Sequence, residues 1–338
     1  MDFTVFTAGI DDKNRRLDKI IRKMIPENNI SSLYSAIRKG LIKVNDKKSD
    51  GSYKICEGDH ISIASFLISS SSSLQNKESF DTAKTLKKSK TVSKNEINIK
   101  IETVFSNEYI RIINKPYDIS VHGTNGLSEV IESIYEKENH EASLAFKTGP
   151  LHRLDRKTTG LLAFSNNQEG ARWFTKAIAD KTVEKYYIGI VQGKVLLAQT
   201  WTETLEQAQN TNQSFYTMKV SSKFNEEDKA VTVCTPLAYG KFQNCDVTLC
   251  QFQILTGKKH QIRCQSAFHG FALLGDTAYG GIKLHKNQNL FLHAYMLVLP
   301  EDNPLKIPHI LKAPVPQYFN KFLSDLLIKW NSKLIIKQ

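Results

Sequence analysis

An aspartate set among basic side chains suits anionic chemistry on a charged substrate, and residues 149–160 hold one. The run reads Gly149-Pro150-Leu151-His152-Arg153-Leu154-Asp155-Arg156-Lys157-Thr158-Thr159-Gly160 and passes directly into apolar residues 161–164. Arg153, Arg156 and Lys157 favour the ionised form of Asp155 through their charge. Such a loop suits an anionic nucleophile facing a phosphate-bearing substrate. Residues 152–155 alone fit a loop salt bridge equally well, so both readings stand at this point. A carboxylate-dependent hydrolase would need a second acid in a comparable motif, and the sequence offers none. Acidic clusters and paired histidine ligands are missing near the loop, so no metal is expected.

Strands rich in Val, Ile, Phe and Tyr must position that loop. Residues 110–113, 160–164, 186–191, 231–235 and 248–255 read as such strands. Residues 170–179 and 317–330 read as helices, the second with Tyr318, Phe319, Phe322, Leu323, Leu326, Leu327 and Trp330 on one face. The pattern predicts an α+β fold, a mixed and mostly antiparallel sheet with peripheral helices.

Ahead of it, residues 14–65 form a separate pattern. Leu17, Ile20, Ile21 and Met24 recur at helical spacing, and Arg15, Arg16, Lys19, Arg22 and Lys23 fill the remaining positions, giving an amphipathic helix with a basic face. A second helix runs from a cap at Ser31 or Ser32 through Arg38 and Lys39, and Gly40 suits its left-handed C-terminal cap. Short strands at 41–44 and 60–63 follow, the first ending in an Asn45-Asp46 turn. In order, Arg16-Leu17-Asp18, Ile37-Arg38-Lys39-Gly40, Val44-Asn45 and Gly58-Asp59-His60-Ile61 resemble the S4 RNA-binding domain, a small α/β module. That resemblance implies RNA contacts by Arg15, Arg16, Lys19, Arg38 and Lys39. Residues 66–96, with five consecutive serines at 69–73 and Lys84, Lys87, Lys88, Lys90 and Lys94, read as a flexible linker. The expected division is therefore 1–65, 66–96 and 97–338.

The chain of 338 residues carries a net charge of +12, which favours a polyanionic partner. Residues 1–10 show no basic stretch leading into a long apolar one, and no run approaches the roughly 20 apolar residues that cross a bilayer. Five cysteines without a CxxC pair read as reduced thiols of a cytoplasmic protein. No long apolar heptad pattern appears, which points to a monomer.

Residues 149–160 resemble the His-Arg-Leu-Asp-x-x-Thr-Ser-Gly signature of RluA-type pseudouridine synthases, with Thr159 in the serine position. Asn114-Lys115-Pro116 reaching Val121-His122-Gly123 precedes it in the expected order. Lys185-Tyr186-Tyr187-Ile188-Gly189-Ile190-Val191-Gln192-Gly193 follows, then Thr256-Gly257-Lys258-Lys259-His260-Gln261-Ile262-Arg263, Gly275-Asp276, Tyr279-Gly280 and Leu292-His293-Ala294. The resemblance implies the pseudouridine synthase fold and isomerisation of uridine in RNA, 23S ribosomal RNA first among substrates, without a cofactor. It implies Asp155 as catalytic carboxylate, Tyr187 as the tyrosine beside the uracil, Arg263 as a two-pronged partner of Asp155, and Arg153 as a contact to the RNA opened by the flipped base. His152, His122 and His260 carry packing or hydrogen-bonding roles. Departures from the pattern are Asp118 for Gly, Lys258 for Arg and Cys264-Gln265 for an apolar-His pair. A transfer RNA substrate, or a catalytically silent ribosome-assembly factor, are the competing readings.

Overall fold

The computed structural model describes residues 1–25, 29–69, 101–138, 143–208, 216–284 and 290–326. The chain divides into two compact units, Met1–Asn98 with Ile131–Thr148, and Ile99–Val130 with Gly149–Gln338.

Four strands of the first unit, β1 (Phe3–Thr7), β2 (Ile42–Val44), β3 (Lys47–Lys48) and β4 (His60–Ala64), pair in the order β1-β4-β2-β3, all antiparallel. Helices α1 (Leu17–Met24) and α2 (Ile30–Arg38) bury Leu17, Ile20 and Ile21 with Leu33, Ala36 and Ile37 against Ile42, Val44, Ile61 and Ile63 of the sheet. The Arg-Leu-Asp element works as a staple. Arg16 donates from Nε and Nη2 to Asp18 at 3.1 and 2.8 Å, and the Tyr34 hydroxyl of α2 donates to the same carboxylate at 2.7 Å. Burial pushes the Asp18 carboxyl up, but these hydrogen bonds outweigh it and leave its pKa below the ordinary value. Asn45 and Asp46 both take left-handed backbone, φ 49° and 61°, as a two-residue hairpin turn requires. Asn45 then donates to Asp59 at 2.9 Å and accepts from the His60 amide at 2.9 Å, so the Val-Asn and Gly-Asp elements meet.

Two features differ from the expected boundaries. A short helix, α3 (Ser65–Ser69), occupies the start of the presumed linker, and its Leu67 and Ile68 pack on the core; residues 70–96 lie outside the described residues. The segment Ile131–Thr148 groups with the first unit because Ala145 enters its core and the buried Asp12 carboxylate accepts from the Ser143 hydroxyl at 2.6 Å and the Leu144 amide at 2.9 Å. A single cut at residue 97 assigns that segment to the other side.

In the second unit the strands are β5 (Glu102–Ser106), β6 (Ile110–Lys115), β7 (Thr159–Ser165), β8 (Glu184–Gln192), β9 (Gln199–Gln207), β10 (Met218–Val220), β11 (Lys229–Phe242), β12 (Cys245–Ile254), β13 (Leu292–Val298) and β14 (Ile310–Lys312). Their order is β10-β9-β11-β12-β8-β13-β7-β6-β5, with β14 on β13. Every pairing is antiparallel except β13 with β7, the mixed and mostly antiparallel sheet expected. Of its helices, α4 (Leu127–Glu138) contains the division between the units, while α5 (Gln168–Ala179), α6 (Gln261–Phe268) and α7 (Gln317–Asp325) belong to the second. All seven residues of β7 are buried, as a central strand covered on both faces must be. Phe174 and Ala177 of α5 cover its Leu161 and Ala163. Phe319 and Leu323 of α7 cover Ile188 and Ile190 of β8, and residues 327–330 of the longer helix expected there lie outside the described residues.

Candidate active site

The loop before β7 is anchored along its whole length. The Leu151 amide donates to the Ala163 carbonyl at 2.8 Å, and the Ala163 amide donates to His152 Nε2 at 3.1 Å. His152 stacks on Phe174, and burial pulls its pKa down to about 3, so it is a neutral ring that accepts at Nε2 and shapes the loop. Beneath the loop lies Lys115 at the end of β6, fully buried. Its ammonium donates to the carbonyls of Pro116, Arg156 and Thr158 at 3.0, 2.9 and 2.8 Å, one for each proton. Burial lowers its pKa to about 7, with the Asp155 and Asp118 charges acting the other way. Gly160 closes the segment at φ 111°, and a Cβ there would overlap the Ala294 carbonyl of β13, so only glycine lets β7 lie beside β13. Asp118, standing where glycine is usual, has φ 61° and pairs with Arg156 at 3.0 Å, so the turn keeps its left-handed residue.

This anchoring presents Asp155 to a cavity of about 260 Å³ whose wall includes Arg153, Lys185, Tyr187, Ile254, His260, Arg263 and Leu292. Asp155 is the one carboxylate among the lining residues. Its Oδ2 lies 3.5 Å from Arg263 Nη1 and its Oδ1 lies 3.8 Å from His260 Nε2. The two-pronged contact expected between Arg263 and Asp155 goes elsewhere: Arg263 Nε and Nη2 donate to Asp276 at 2.7 and 2.8 Å. Asp276 is buried and has the fork geometry, whereas Asp155 meets the free Nη1 alone. Burial opposes the charge on Arg263, but Asp276 and then Asp155 more than offset it and raise its pKa, so it is a permanent cation.

His260 sits in left-handed backbone, φ 52°, at the start of α6. Tyr279 accepts from the Met218 amide at 2.7 Å, and its hydroxyl lies 2.8 Å from His260 Nδ1. The Asp155 carboxylate, 3.8 Å from Nε2, favours the tautomer with the ring proton on Nε2 and the Tyr279 proton on Nδ1. Burial pulls His260 to about 4, so it faces the carboxylate as a neutral donor. Thr256 and Gln261 brace the turn before it: the Thr256 hydroxyl and the Lys258 amide both donate to Gln261 Oε1, at 2.8 and 3.0 Å. Lys258 turns outward to the Glu227 carbonyl and to Asp228.

Tyr187 and Tyr186 point to opposite faces of β8, as alternation demands. Tyr187 lines the cavity, while Tyr186 packs with Ile188, Tyr295 and α7 side chains and donates to Glu184 at 2.5 Å. Burial, together with the Asp155 charge, pushes the Tyr187 phenol well above its ordinary value, so it keeps its proton. Among the expected RNA contacts, Arg153 is exposed at the cavity, and Lys19, Arg38 and Lys39 are exposed on the first unit with Arg15 partly so. Arg16 has both prongs on Asp18, a structural task that composition did not disclose. Asp276, Tyr279 and Lys115 lay in matched motifs without an assigned role. An acid and a tyrosine, 13 and 16 residues after a motif arginine, were the available signal.

Residues 108–268 match the family model described as RNA pseudouridylate synthase, and residues 15–61 match the S4 domain. A ribosomal large subunit pseudouridine synthase C of Rickettsia bellii is 28% identical over 90% of this chain and 96% of its own length. One of Buchnera aphidicola is 28% identical over 93% and 94%. A tRNA pseudouridine synthase C of Vibrio cholerae is 27% identical over 70% of this chain and 99% of its own. The solved structure of human RNA pseudouridylate synthase domain containing 4 superposes with a TM-score of 0.54 at 21% identity, over 68% of this chain and 94% of that one, a likeness of fold.

Proposed function

The chain is an RNA pseudouridine synthase joined to an S4 domain, and from that premise we propose that it isomerises uridines of large-subunit, 23S ribosomal RNA with Asp155 as the catalytic carboxylate. The observation that carries the role of Asp155 is its isolation: it is the one carboxylate in a cavity wall of cations, Tyr187, two histidines, the uncharged polar Thr158 and Gln261, and apolar side chains. Ribosomal RNA is favoured over transfer RNA because the Rickettsia relative named for the large subunit aligns over 90% of this chain, and the Vibrio cholerae relative named for tRNA over 70%. The S4 module adds a second RNA-facing unit, which suits a large structured substrate. Five unpaired cysteines suit the reducing cytoplasm in which such RNA is processed.

The isomerisation breaks the bond from uracil N1 to ribose C1′, turns the base and forms a bond from C5 to C1′; C5 releases its proton to solvent and N1 takes one up. The base must leave its stack to reach the cavity. Arg263 and the Nε2–H of His260 hold Asp155 as an oriented anion at the reacting carbons. The protonated Tyr187 ring lines the same space and offers the uracil a stacking face. Arg153, exposed at the loop, reaches toward the duplex from which the base has left. Incubation with large-subunit RNA carrying tritium at uracil C5 tests the proposal. Release of tritium by the wild type, and none by Asp155→Asn with RNA binding retained, is expected. Product from Asp155→Asn would remove Asp155 from its role, and release only from transfer RNA would change the substrate.

A further inference from the structure

We propose that Lys185 is an anion subsite of this cavity and receives a phosphodiester of the substrate RNA beside the displaced uridine, an inference that rests on the function proposed above. Lys185 lies on β8 two residues before Tyr187, so both side chains leave the strand on one face, about 7 Å apart along it. Both line the cavity.

Most cations of this region have partners, and of the two in the cavity wall that have none among the described residues, Arg153 is exposed and Lys185 is shielded. Arg263 is held by Asp276, Lys258 by Asp228, and Lys115 by three carbonyls, while Lys259 lies 5.1 Å over the Tyr216 ring. Lys185 is half-buried in the wall and has no acidic or hydrogen-bonding partner among the described residues. A shielded, unpaired ammonium is costly, and the cost is relieved when a ligand brings the missing charge. Burial alone acts on the Lys185 pKa and lowers it. Lys185 lines the same cavity as Asp155 but makes no ion pair with it, whereas Arg263 Nη1 and His260 Nε2 stand 3.5 and 3.8 Å from that carboxylate. Lys185 is therefore left for a group other than the carbons that meet Asp155. A group bound there belongs to the body of the nucleotide, and the permanent anion of an RNA chain is its phosphodiester.

Gly257 supports the same reading. Its φ is not positive, so the backbone does not require glycine, yet a Cβ at this position would stand 3.7 Å from Lys185 Nζ. That is ordinary contact distance, so the bare residue leaves this side of the ammonium uncovered in a cavity that both residues line.

The test measures RNA binding across a salt series, and single-turnover tritium release against RNA concentration, for wild type, Lys185→Met, Lys185→Arg and Gly257→Ala on C5-tritiated large-subunit RNA. For Lys185→Met, the RNA concentration giving half-maximal rate should rise about tenfold, more than the maximal rate falls. The slope of log affinity against log salt should flatten by about 0.7, the value for one phosphate on single-stranded RNA. Lys185→Arg should recover most of the loss, and Gly257→Ala should weaken binding in the same direction with an unchanged melting temperature. Wild-type affinity and slope in Lys185→Met would overturn the proposal, as would a defect confined to the maximal rate, which would assign the lysine to the base. Absence of turnover by the wild type would instead remove the isomerase reading, while the salt series would still judge the lysine.

Discussion

At the scale of single residues, Asp155 is held by groups whose own positions are set elsewhere. Asp276 is the clearest case, since it grips two of the three donor nitrogens of Arg263 and leaves only Nη1 for Asp155, at 3.5 Å. Replacing Asp276 by Asn removes the charge opposite a buried guanidinium. Breaking a buried pair in this way costs about 3 kcal/mol or more. We expect Asp276→Asn to lower the denaturation midpoint and to reduce single-turnover rate at least tenfold, with RNA affinity changed less than rate; an unshifted midpoint and full rate would show that Arg263 needs no such hold. That Asp155, Tyr187 and Arg263 would share one cavity was legible in the sequence, because each stands in an ordered run of matched segments. The protonation of His260 was not legible. It depends on a Met218 amide, a Tyr279 hydroxyl and a left-handed residue, which three separate parts of the chain bring together.

Among the elements, the junction of β6 with the Asp155 loop rests on one buried side chain, Lys115. Lys115→Met keeps the volume but strips the donors from the carbonyls of Pro116, Arg156 and Thr158, each of which then costs about 1–3 kcal/mol if left unpaired. The variant should lose most of its activity through a loosened loop, read as a lower melting temperature and slower turnover. A pH dependence follows from the buried ammonium. Its folded pKa of about 7 lies below the ordinary lysine value of 10.5, so between them the unfolded chain binds the proton and the folded one does not. The charging penalty is full below about pH 7 and fades as pH rises toward 10.5. The stability of the wild type relative to Lys115→Met should therefore increase from about pH 7 to about pH 10 in denaturant titrations, and a flat difference would contradict the assignment. Element positions were readable where period and turn chemistry agreed, as at α1, α5, β7 and the Asn45-Asp46 turn. They were unreadable at α6, where Gln261, Arg263, Gln265 and Ser266 are buried beside Ile262 and Cys264, so no amphipathic stripe exists. They were equally hidden at β1, whose residues are mostly exposed and which is recognisable only through its pairing with β4.

For the whole molecule, composition and motif order gave two RNA-facing units, but not the chain's return to the first of them. Ser143 and Leu144 are fastened to Asp12 across more than 130 residues of sequence, a pairing with no local signature. This decides how the RNA-binding role of the first unit should be tested. Removing residues 1–65 would deprive Ser143 and Leu144 of the Asp12 carboxylate and uncover Leu144 and Ala145, so a fall in activity would report damage as readily as weaker binding. Substitution of exposed charges avoids that. Arg16 is best left in place, because it and Tyr34 hold the Asp18 staple. Lys19, Arg38 and Lys39 are exposed and outside the unit's core. Changing all three to Ala should leave the melting temperature within about a degree or two, weaken RNA binding, and flatten the log–log salt dependence by up to about 0.7–0.9 for each phosphate no longer neutralised. The loss should fall on affinity for large-subunit RNA far more than on the rate once the RNA is bound. If the slope stays at the wild-type value, these side chains do not meet phosphate, and the +12 charge of the chain must act through the catalytic unit instead.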